Sequence, residues 1–563
     1  MNGATPTPRS HRPRRLPTAG VLRLGRTSDI WFKPATSAVI ASAIPNVVLL
    51  CLGRLDLAMY TMAGSLCATY AHNRPYAGRA RTLIGVVLGM VGCLAVALVV
   101  ASLTDSVMVL ITVGALLAAL QKLLCDATRI GPPAHVIFAF ISSAALFAPQ
   151  TIGQVPGHIG LALASAALAY LVSMAPGLVR PQGPERRAVR GALRAAARYA
   201  GLPAGDPEAG PARANAAAAI QTGWQNLTVS GRRTEDRRAL ERLLIHAEVA
   251  LSAPTPADPA LLSGWAARLR GTGPVPRPAG QADDTELLGI ETELAVSAPS
   301  LWQRLRPGGA LFPVAVRTFL GCALAGYASF GLGVGRPYWA IVTAAAVSQA
   351  NVTQSWRRSI QRVVGNLIGV LVFAAVVPLT HTGPTALVLV ALAFNFGAEA
   401  LMPRNYWLGS ICVTPMALLV VEFAGRRPVG ELLTDRVLDT LVGAVVGVLV
   451  SMAVVTRRPA HQLRTALVGA RTAQRQARSA LAAPARGTLE AAGRRLAFAL
   501  IELRQARDIA AGEWWQSPLP EQEVLDVERD GHRTLAETVR AQGLVQGLGA
   551  GGTATGTGGS AAA

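Results

Sequence analysis

The stretch Leu449-Val450-Ser451-Met452 closes a long apolar segment and is followed by Arg458-Pro459. The same arrangement occurs once before, where Leu171-Val172-Ser173-Met174 is followed by Arg180-Pro181. The earlier stretch precedes the later one by 278 residues in both parts of the match. An internal repeat built from long apolar segments indicates a membrane unit that has been duplicated.

The composition supports a membrane protein over a soluble one. The chain has 563 residues, of which 51% are hydrophobic, and its mean hydropathy is +0.37, which is typical of a polytopic membrane protein. The net charge of +21 is spread unevenly, because residues 183–306 hold 16 arginines against 13 acidic residues. The excess lies beside the apolar segments and in the tails, as membrane orientation requires. We therefore expect membrane lipids, and no nucleic acid, as partners.

The apolar segments divide into two sets of six. Each is long enough, or nearly so, for the roughly 17–25 helical residues that cross a bilayer, and backbone groups in lipid must be satisfied within a helix. The sequence predicts an all-α polytopic membrane protein with about twelve transmembrane helices. The segments are 35–53, 57–72, 82–103, 105–122, 132–149, 156–179, 311–334, 337–354, 360–379, 384–400, 406–423 and 432–456.

Arginine placement predicts the orientation of these segments. The loops assigned to the inside carry Arg74, Arg79, Arg81, Arg129, Arg180, Arg357, Arg358, Arg404, Arg457 and Arg458. The loops assigned to the outside carry Arg54, Arg336, Arg426 and Arg427. This bias predicts a bacterial plasma-membrane protein with cytosolic N and C termini. Because six is even, both repeats enter from the same side and are parallel.

Helical periodicity continues outside the apolar segments. Apolar residues recur on one face of Leu240-x2-Leu243-Leu244-x2-Ala247-x3-Leu251, as in a soluble amphipathic helix. The sequence thus predicts six regions. They are a basic cytosolic tail (1–34), a first six-helix membrane repeat (35–182), a cytosolic helical domain (183–306), a second membrane repeat (307–458), a second cytosolic helical domain (459–546) and a disordered Gly/Ala tail (547–563).

Glycines at four-residue spacing mark three membrane segments. They are Gly85/Gly89, Gly365/Gly369 and Gly443/Gly447. The absence of a Cβ lets helices approach closely, so these pairs predict helix packing. A role in sliding of the halves is the alternative interpretation.

The motifs of the second half resemble those of a known family. Arg336-Pro337-Tyr338-Trp339-Ala340, Arg357-Arg358-x3-Arg362-x2-Gly365-x3-Gly369, Tyr406-Trp407 and Arg436-x2-Asp439-Thr440-x2-Gly443-x3-Gly447 are similar to the fusaric-acid-resistance-like, or aromatic acid exporter, superfamily. The resemblance is good over 311–458. It is degenerate over 35–181, where His158 and Leu161 stand at the positions of Arg436 and Asp439.

The resemblance implies efflux of small organic anions, including aromatic acids, coupled to the proton gradient. Two other functions stay open. One is a passive anion channel with the same helices, and the other is a non-transporting membrane scaffold whose cytosolic domain binds a partner. A homo-oligomer is also compatible with the sequence. No Gly-Lys dipeptide occurs, so a P-loop is absent, and no motif favours an enzyme.

Five residues are candidate site residues. Arg317 lies inside a predicted span, where a guanidinium could bind a carboxylate or could reach the inner headgroups. Arg362 begins the segment that carries Gly365, as a substrate ligand or an interface anchor. Tyr338 and Trp339 could stack on an aromatic substrate or join an interfacial aromatic belt.

Asp439 is the candidate for proton coupling. Its alternative is an ion pair with Arg436, one turn away, at the start of a helix capped by Thr434. Glu399 and Glu422 stand at predicted helix ends, at headgroup level. The six cysteines include no C-x-x-C pair, so we expect neither a disulfide framework nor a metal site, and no cofactor.

Overall fold

Every regular element is a helix within the part of the chain that the computed structural model describes. The described residues are 16–25, 30–203, 206–229, 234–252, 258–277, 305–306, 311–334, 336–423, 428–454, 458–483, 488–513 and 520–551. The apolar periodicity of residues 284–297 also predicts a helix, and the pair Trp514-Trp515 is expected to pack in a soluble core; both stretches lie outside the described residues. The predicted all-α, polytopic membrane class is confirmed.

The first half of the membrane region contains six helical segments joined by short loops. They are α1 (Phe32–Cys51), α2 (Ala58–Ser65), α3 (Tyr76–Leu103), α4 (Val107–Thr128), α5 (His135–Leu146) and α6 (Val155–Met174), the last extended by the single turn α7 (Pro176–Val179). The second half repeats this order. Its helices are α12 (Phe312–Gly331), α13 (Pro337–Val347), α14 (Val352–Thr380), α15 (Pro384–Leu401), α16 (Tyr406–Phe423) and α17 (Val429–Ala453).

The predicted number of membrane-spanning helices is not reached. Among the described residues, nine helices are long and apolar enough to cross a bilayer. Three predicted spans are shorter. The one at 57–72 is α2 followed by a 3₁₀ turn, the one at 132–149 is α5 with 12 residues, and the one at 337–354 is α13 with 11 residues. Eleven residues extend only about 16 Å along a helix, roughly half of the hydrocarbon thickness.

The break after α13 is held by side chains. Ser348 to Asn351 leave the helix before α14 begins, and irregular backbone at this depth requires partners from the protein. Ser348 Oγ is 2.8 Å from Thr318 Oγ1, and the Gln349 amide donates to Ser355 Oγ at 3.1 Å. The Arg317 guanidinium donates to the Gln349 carbonyl oxygen. Asn351 then caps α14 by accepting from the Gln354 amide at 2.8 Å.

The two halves use the same internal packing. In the first half α2 packs on α6, α3 on α5 and α6, and α4 on α5. In the second half α13 packs on α17, α14 on α16 and α17, and α15 on α16. The halves join reciprocally, because α1 contacts α15 and α4 contacts α12. Such exchange of equivalent helices is what a duplicated unit produces when its copies pair.

Close helix packing occurs at most of the predicted glycines. A Cβ on Gly365 would lie 2.5 Å from the Trp407 carbonyl oxygen of α16, and one on Gly369 would lie 2.8 Å from Thr414 Cβ. On α17, a Cβ on Gly443 would lie 2.6 Å from the Ala340 carbonyl oxygen, whereas one on Gly447 would make ordinary contacts at 3.5 Å. These spacings leave no room for a side chain at the first three positions.

The first half departs from this pattern. Gly89 approaches Phe138, with 3.1 Å between a Cβ placed there and Cε1. Gly85, predicted to pack as well, instead faces open space. The tightest glycine of this half is Gly64 on α2, where an added Cβ would overlap the backbone of Ala162 and lie 2.8 Å from Ser165 Cβ on α6. The sequence does not distinguish packed glycines from exposed ones, because a glycine in an apolar segment can face either lipid or another helix.

The helices outside the membrane region form two packed groups. The first consists of α8 (Gly183–Ala200), α9 (Ala209–Val229), α10 (Glu235–Ser252) and α11 (Pro259–Arg268), with a core that includes Trp224 and Leu243. The second consists of α18 (Arg458–Ala482), α19 (Thr488–Ala511) and α20 (Glu521–Gly551). The predicted disordered tail begins inside α20, at Gly547, and its remainder from 552 onward lies outside the described residues.

Candidate functional site: a basic cavity between the two halves

A cavity of about 1300 Å³ lies between the halves, and both contribute to its wall. It is reached from the end of the membrane region where α3 and α14 begin and α4 and α15 end, which we term the arginine-rich end. Exposed side chains such as Arg129 and Arg357 border it there. From this end the cavity extends inward as far as Arg436 on α17. Arg436 is 17 residues before Ala453, so the cavity reaches about 26 Å along this helix.

The wall of the cavity is strongly basic. Seven lining residues are lysine or arginine and two are acidic. One acid, Asp126, is already paired with Lys122 at 2.9 Å. The other is Glu399, which was predicted at headgroup level and instead lines the cavity near the end of α15. The basic residues are Arg74, Lys122, Arg129, Arg357, Arg358, Arg362 and Arg436. Such a field attracts anions and raises their local concentration.

Arg436 forms the deep end of the cavity. It is 1% exposed, and its guanidinium carbon lies 3.8 Å from the centroid of the Trp339 ring, a cation–π contact. Its Nε donates to Asn366 Oδ1 at 3.2 Å. Its Nη1 is buried and has no hydrogen-bond partner among the described residues. A cation held by the Trp339 ring and by Asn366, with Nη1 unused among the described residues, can bind an anion that enters the cavity.

Asn366 organises the polar side chains around Arg436. It accepts from the Thr414 hydroxyl and donates to the Thr440 hydroxyl. The Thr440 hydroxyl in turn donates to the backbone carbonyl of Arg436 at 2.7 Å. This network connects α14, α16 and α17 through groups that would otherwise be unsatisfied in lipid. Asn366, Thr414 and Thr440 are polar residues within predicted apolar segments. A polar residue inside such a segment is the sequence signal that could have identified them as part of the site.

Arg362 and Arg358 lie closer to the cavity entrance. Arg362 Nη1 donates to the Tyr406 hydroxyl at 3.0 Å, and its Nε is buried without a partner among the described residues. The Arg358 guanidinium carbon is 3.9 Å from the centroid of the Tyr406 ring. The three arginines 358, 362 and 436 therefore form a series at increasing depth. Arg362 lies in the cavity wall, as its interpretation as a ligand requires, and it is 4% exposed.

Arg317 lies elsewhere. It is absent from the wall of the cavity, because its guanidinium turns to the Gln349 carbonyl at the break between α13 and α14. With 2% exposure it does not extend to the headgroups either. In this conformation Arg317 donates to the backbone, and its Nε is buried without a partner among the described residues, so its role as an anion ligand stays a prediction. The sequence could not reveal this contact, because the break that creates the unpaired carbonyl falls inside a segment that reads as continuously apolar.

Tyr338 and Trp339 lie between the halves, not at a membrane surface. The Trp339 ring is 5.8 Å from Phe140, and the Tyr338 ring is 5.8 Å from Phe147. Both are buried, which contradicts the interpretation as an aromatic belt. Neither lines the cavity. Trp339 therefore acts on the site through Arg436, whose position it fixes.

Asp439 is fully buried beside the site. Its Oδ1 accepts from the Ser329 hydroxyl at 2.5 Å, and its Oδ2 has no partner among the described residues. Within the described residues Asp439 forms no ion pair with Arg436, and α17 begins ten residues earlier at Val429 with Pro428 as its N-cap. The alternative of an ion pair at a helix start capped by Thr434 is therefore wrong. A buried carboxylate in a membrane helix remains a candidate for proton binding.

Comparison with known proteins agrees with the resemblance found in the sequence. Residues 320–450 match the model of a family described as fusaric acid resistance protein-like, which confirms that resemblance for this part of the chain. The matched range holds Trp339, Arg362, Asn366, Arg436 and Asp439. The match and the membrane helices describe a polytopic membrane protein with a fusaric acid resistance protein-like region.

Three relatives share short regions with this chain. An uncharacterized membrane protein, YvaC, of Bacillus subtilis is 32% identical over 126 residues, which is 22% of this chain and 20% of that protein. An uncharacterized protein of Haemophilus influenzae is 33% identical over 144 residues, 24% of this chain and 19% of the relative. A third, ORF2 of Neisseria gonorrhoeae, is 30% identical over 167 residues and is covered to 38%. The chain thus spans about a fifth to two fifths of their lengths. No solved structure matches the chain.

Proposed function

Proceeding from the family match over 320–450, we propose that this protein is a secondary-active exporter of small organic anions, such as aromatic acids, in the bacterial plasma membrane. In this proposal both termini and both groups of soluble helices are cytosolic, and the arginine-rich end faces the cytosol. The carrying observation is the basic cavity that narrows from Arg358 past Arg362 to Arg436.

The chemistry of an anion in this cavity supports the proposal. A carboxylate that leaves water for a low-dielectric cavity loses hydration, and charge-assisted hydrogen bonds offset that loss. Arg362 Nε and Arg436 Nη1 are buried donors without partners among the described residues, so both can donate to such a ligand. Trp339 and Asn366 hold the Arg436 guanidinium before the ligand arrives, which lowers the entropy cost of binding.

The shape of the cavity favours a carrier over an open channel. Its described lining includes residues from the arginine-rich end and reaches Arg436 on α17, and it includes none from the opposite ends of α14, α15 and α16. An open pore would be lined at both ends. In a carrier the site is exposed to one side at a time, and a conformational change between the repeats moves the opening.

Asp439 supplies a candidate for coupling to protons. It lies one helical turn from Arg436 on α17 and is buried with one free carboxylate oxygen. Loss of a proton from Asp439 would place a negative charge near the anion that Arg436 binds. Repulsion between the two charges couples anion binding to protonation of Asp439, so loss of the proton favours release of the anion.

Flux into inside-out vesicles with an imposed pH gradient tests the proposal. We expect radiolabelled benzoate, or another small aromatic acid from a panel, to accumulate above its equilibrium level and to leave when an uncoupler is added. Arg436→Gln should abolish accumulation, whereas Arg404→Gln, an exposed arginine outside the cavity wall, should leave it unchanged. Equilibration that ignores the gradient would favour a passive channel. No flux of any acid in the panel would favour a scaffold.

A further inference from the structure

A second cavity lies in the cytosolic region, away from the membrane site. It has a volume of about 220 Å³ and is bounded by α9 on one side and by α19 and α20 on the other, so it joins the two groups of soluble helices. Its volume falls below the roughly 300–1,000 Å³ of typical drug-sized sites. Only a small ligand, about one ring with a substituent, would fit.

One part of this cavity is apolar and aromatic. Trp224 on α9 and Phe498 on α19 both line it, together with Ile501 and Leu535. Trp224 is 3% exposed and belongs to the core of the first group of soluble helices. Planar apolar surfaces of this kind bind a flat ring by stacking and by removing its surface from water.

The other part is polar and holds buried atoms that lack partners. Arg213 Nε and His532 Nδ1 have no hydrogen-bond partner among the described residues, and both side chains line the cavity. Buried polar atoms are nearly always paired in folded proteins, so two such atoms at one cavity indicate a missing group. Arg504 lines the same part.

The electrostatic field in this part is positive at His532. Burial, and after it the charges of Arg213 and Arg504, lower the pKa of His532 to about 3. The acids in the wall are Glu248, Asp508 and Glu528. Glu248 interacts with Arg494 and Trp224, and Glu528 interacts with Arg213. The buried Arg213 Nε and the Arg504 side chain can donate to a carboxylate, and the neighbouring rings suit an aromatic body.

The same helix that lines this cavity also contacts the membrane site. The end of α19 docks on the cap of α14, where the Thr353 amide donates to the Gly512 carbonyl at 3.0 Å and Asn351 Nδ2 donates to the Ile509 carbonyl at 3.4 Å. Asn351 is the N-cap of α14, which carries Arg358 and Arg362. A shift of α19 would therefore reach the membrane cavity through one helix.

We propose that the cytosolic cavity between α9, α19 and α20 is a regulatory binding site for a one-ring aromatic carboxylate, and that its occupancy is transmitted through the end of α19 to the cap of α14. The carboxylate accepts hydrogen bonds from Arg213 and Arg504, and the ring lies against Trp224 and Phe498. The proposed regulation rests on the proposed export function, whereas binding of the carboxylate in this cavity does not.

Photolabelling of the full-length protein in lipid nanodiscs tests the binding. The probe is 4-azidobenzoate, and the expected result is labelling of the peptides that contain 213–224 and 494–508. Excess benzoate should suppress this labelling, and benzamide, which has no charge, should not. Labelling confined to peptides of the membrane cavity, or none at millimolar probe, would overturn the proposal. Either result can occur whether or not the protein transports benzoate, so the proposed function is tested separately.

Three variants sharpen this test. Ala497→Trp fills the cavity and should reduce labelling about tenfold or more, since the ring site is lost. Arg504→Gln keeps the volume and should weaken benzoate competition about tenfold, the effect of one charge-assisted hydrogen bond. Arg507→Gln, on the same helix but outside the cavity wall, is the matched control and should behave as the parent protein. Undiminished labelling in both Ala497→Trp and Arg504→Gln would place the probe elsewhere.

Hydrogen exchange tests the transmission. Benzoate should change the exchange rates of amides in 349–358, and in Arg504→Gln the same change should require about tenfold more benzoate. The same experiment on Arg436→Gln should still give the change, because that variant leaves the cytosolic cavity intact. Labelling at the cytosolic site with no change of exchange in 349–358 would overturn the coupling to α14.

Discussion

The two membrane halves place a ring against the side chain of their last helix in the same way, but they differ in charge. In the second half Arg436 lies 3.8 Å from the Trp339 ring centroid. In the first half His158 stacks on Tyr60 with 3.7 Å between ring centroids and 9° between planes. His158 occupies the position equivalent to Arg436, 278 residues earlier, and Tyr60 precedes Trp339 by 279. Both halves therefore have the contact between a ring and the last helix, but only the second half has a permanent cation at this position.

The polar partners around the contact differ as well. His158 Nδ1 is 3.1 Å from Gln150 Oε1, and Gln150 also donates to the Tyr60 hydroxyl. Leu161 stands in the position of Asp439, so the first half lacks the buried carboxylate. The comparison teaches that both halves keep the packing between equivalent helices, because both must remain folded. Only the second half keeps the charged residues, as expected if a single anion site serves the whole bundle.

The largest expected effect is on folding. Gly443→Leu should prevent recovery of folded protein, because a side chain cannot coexist with the Ala340 carbonyl 2.6 Å from its Cβ. Gly443→Ala should cost about 1–3 kcal/mol, as overpacking does. Gly85→Leu is the matched control, since that glycine faces open space. Yield and thermal unfolding in detergent measure both. Equal yields for Gly443→Leu and the parent protein would mean that α13 and α17 do not pack as described.

The next largest effect is expected when the equivalent residues Arg436 and His158 are exchanged between the two halves. Arg436→His gives the second half the residue of the first and should reduce aromatic acid flux about tenfold to a hundredfold, the loss of one or two hydrogen bonds to a charged group. His158→Arg, the reverse change, should not raise flux, because His158 lies outside the wall of the cavity. Initial rates in vesicles at equal protein level decide this. Equal losses from changes at 158 and 436 would make the halves functionally equivalent.

Asp439→Asn distinguishes coupling to the proton gradient from binding of the substrate. Without a titrating group at this position, accumulation against a gradient should fall severalfold, while exchange of labelled for unlabelled substrate should change little. Leu161→Asn, at the equivalent position of the first half, serves as the control and should alter neither rate. Parallel measurements of uphill uptake and exchange provide the test. A matched loss in both rates would assign Asp439 to binding or to structure.

The smallest expected effect concerns the junction between α14 and the end of α19, where Glu513 interacts with Arg317. In the first half Ala38 stands at the position of Arg317. Burial raises the pKa of Glu513, and Arg317 lowers it by less. A carboxyl whose folded pKa is raised stabilises the fold at low pH and loses that contribution as the pH rises through the folded pKa. Glu513→Gln should therefore raise the melting temperature above that pH, by no more than about 2 °C.

Thermal unfolding of this variant at pH 5 and pH 8 measures the effect. The difference from the parent protein should be larger at pH 8. Glu521→Gln, an exposed carboxylate on α20, should leave the melting temperature unchanged at both values. A variant that is less stable than the parent at pH 8 would mean that attraction to Arg317 outweighs the cost of burying Glu513.

The sequence alone predicted the membrane class, the duplication and the family resemblance. Long apolar runs and arginine bias are local properties, and bilayer thickness acts on each segment independently. Helical periodicity in residues 183–306 is also a local property. There the 3.6-residue period of apolar residues such as Leu240, Leu243 and Leu244 indicates one buried face. The motif Arg436-x2-Asp439 likewise drew attention to the right helix.

The tertiary structure decided which arginine meets the cavity and which supports the backbone. Arg317 and Arg436 have the same chemistry and similar apolar neighbours along the chain. Only the break between α13 and α14 leaves a carbonyl that captures Arg317, and only the meeting of α13, α14 and α17 places Trp339 and Asn366 around Arg436. Direction and partner of a long side chain depend on contacts between segments far apart in the chain, and a linear pattern carries no information about those contacts.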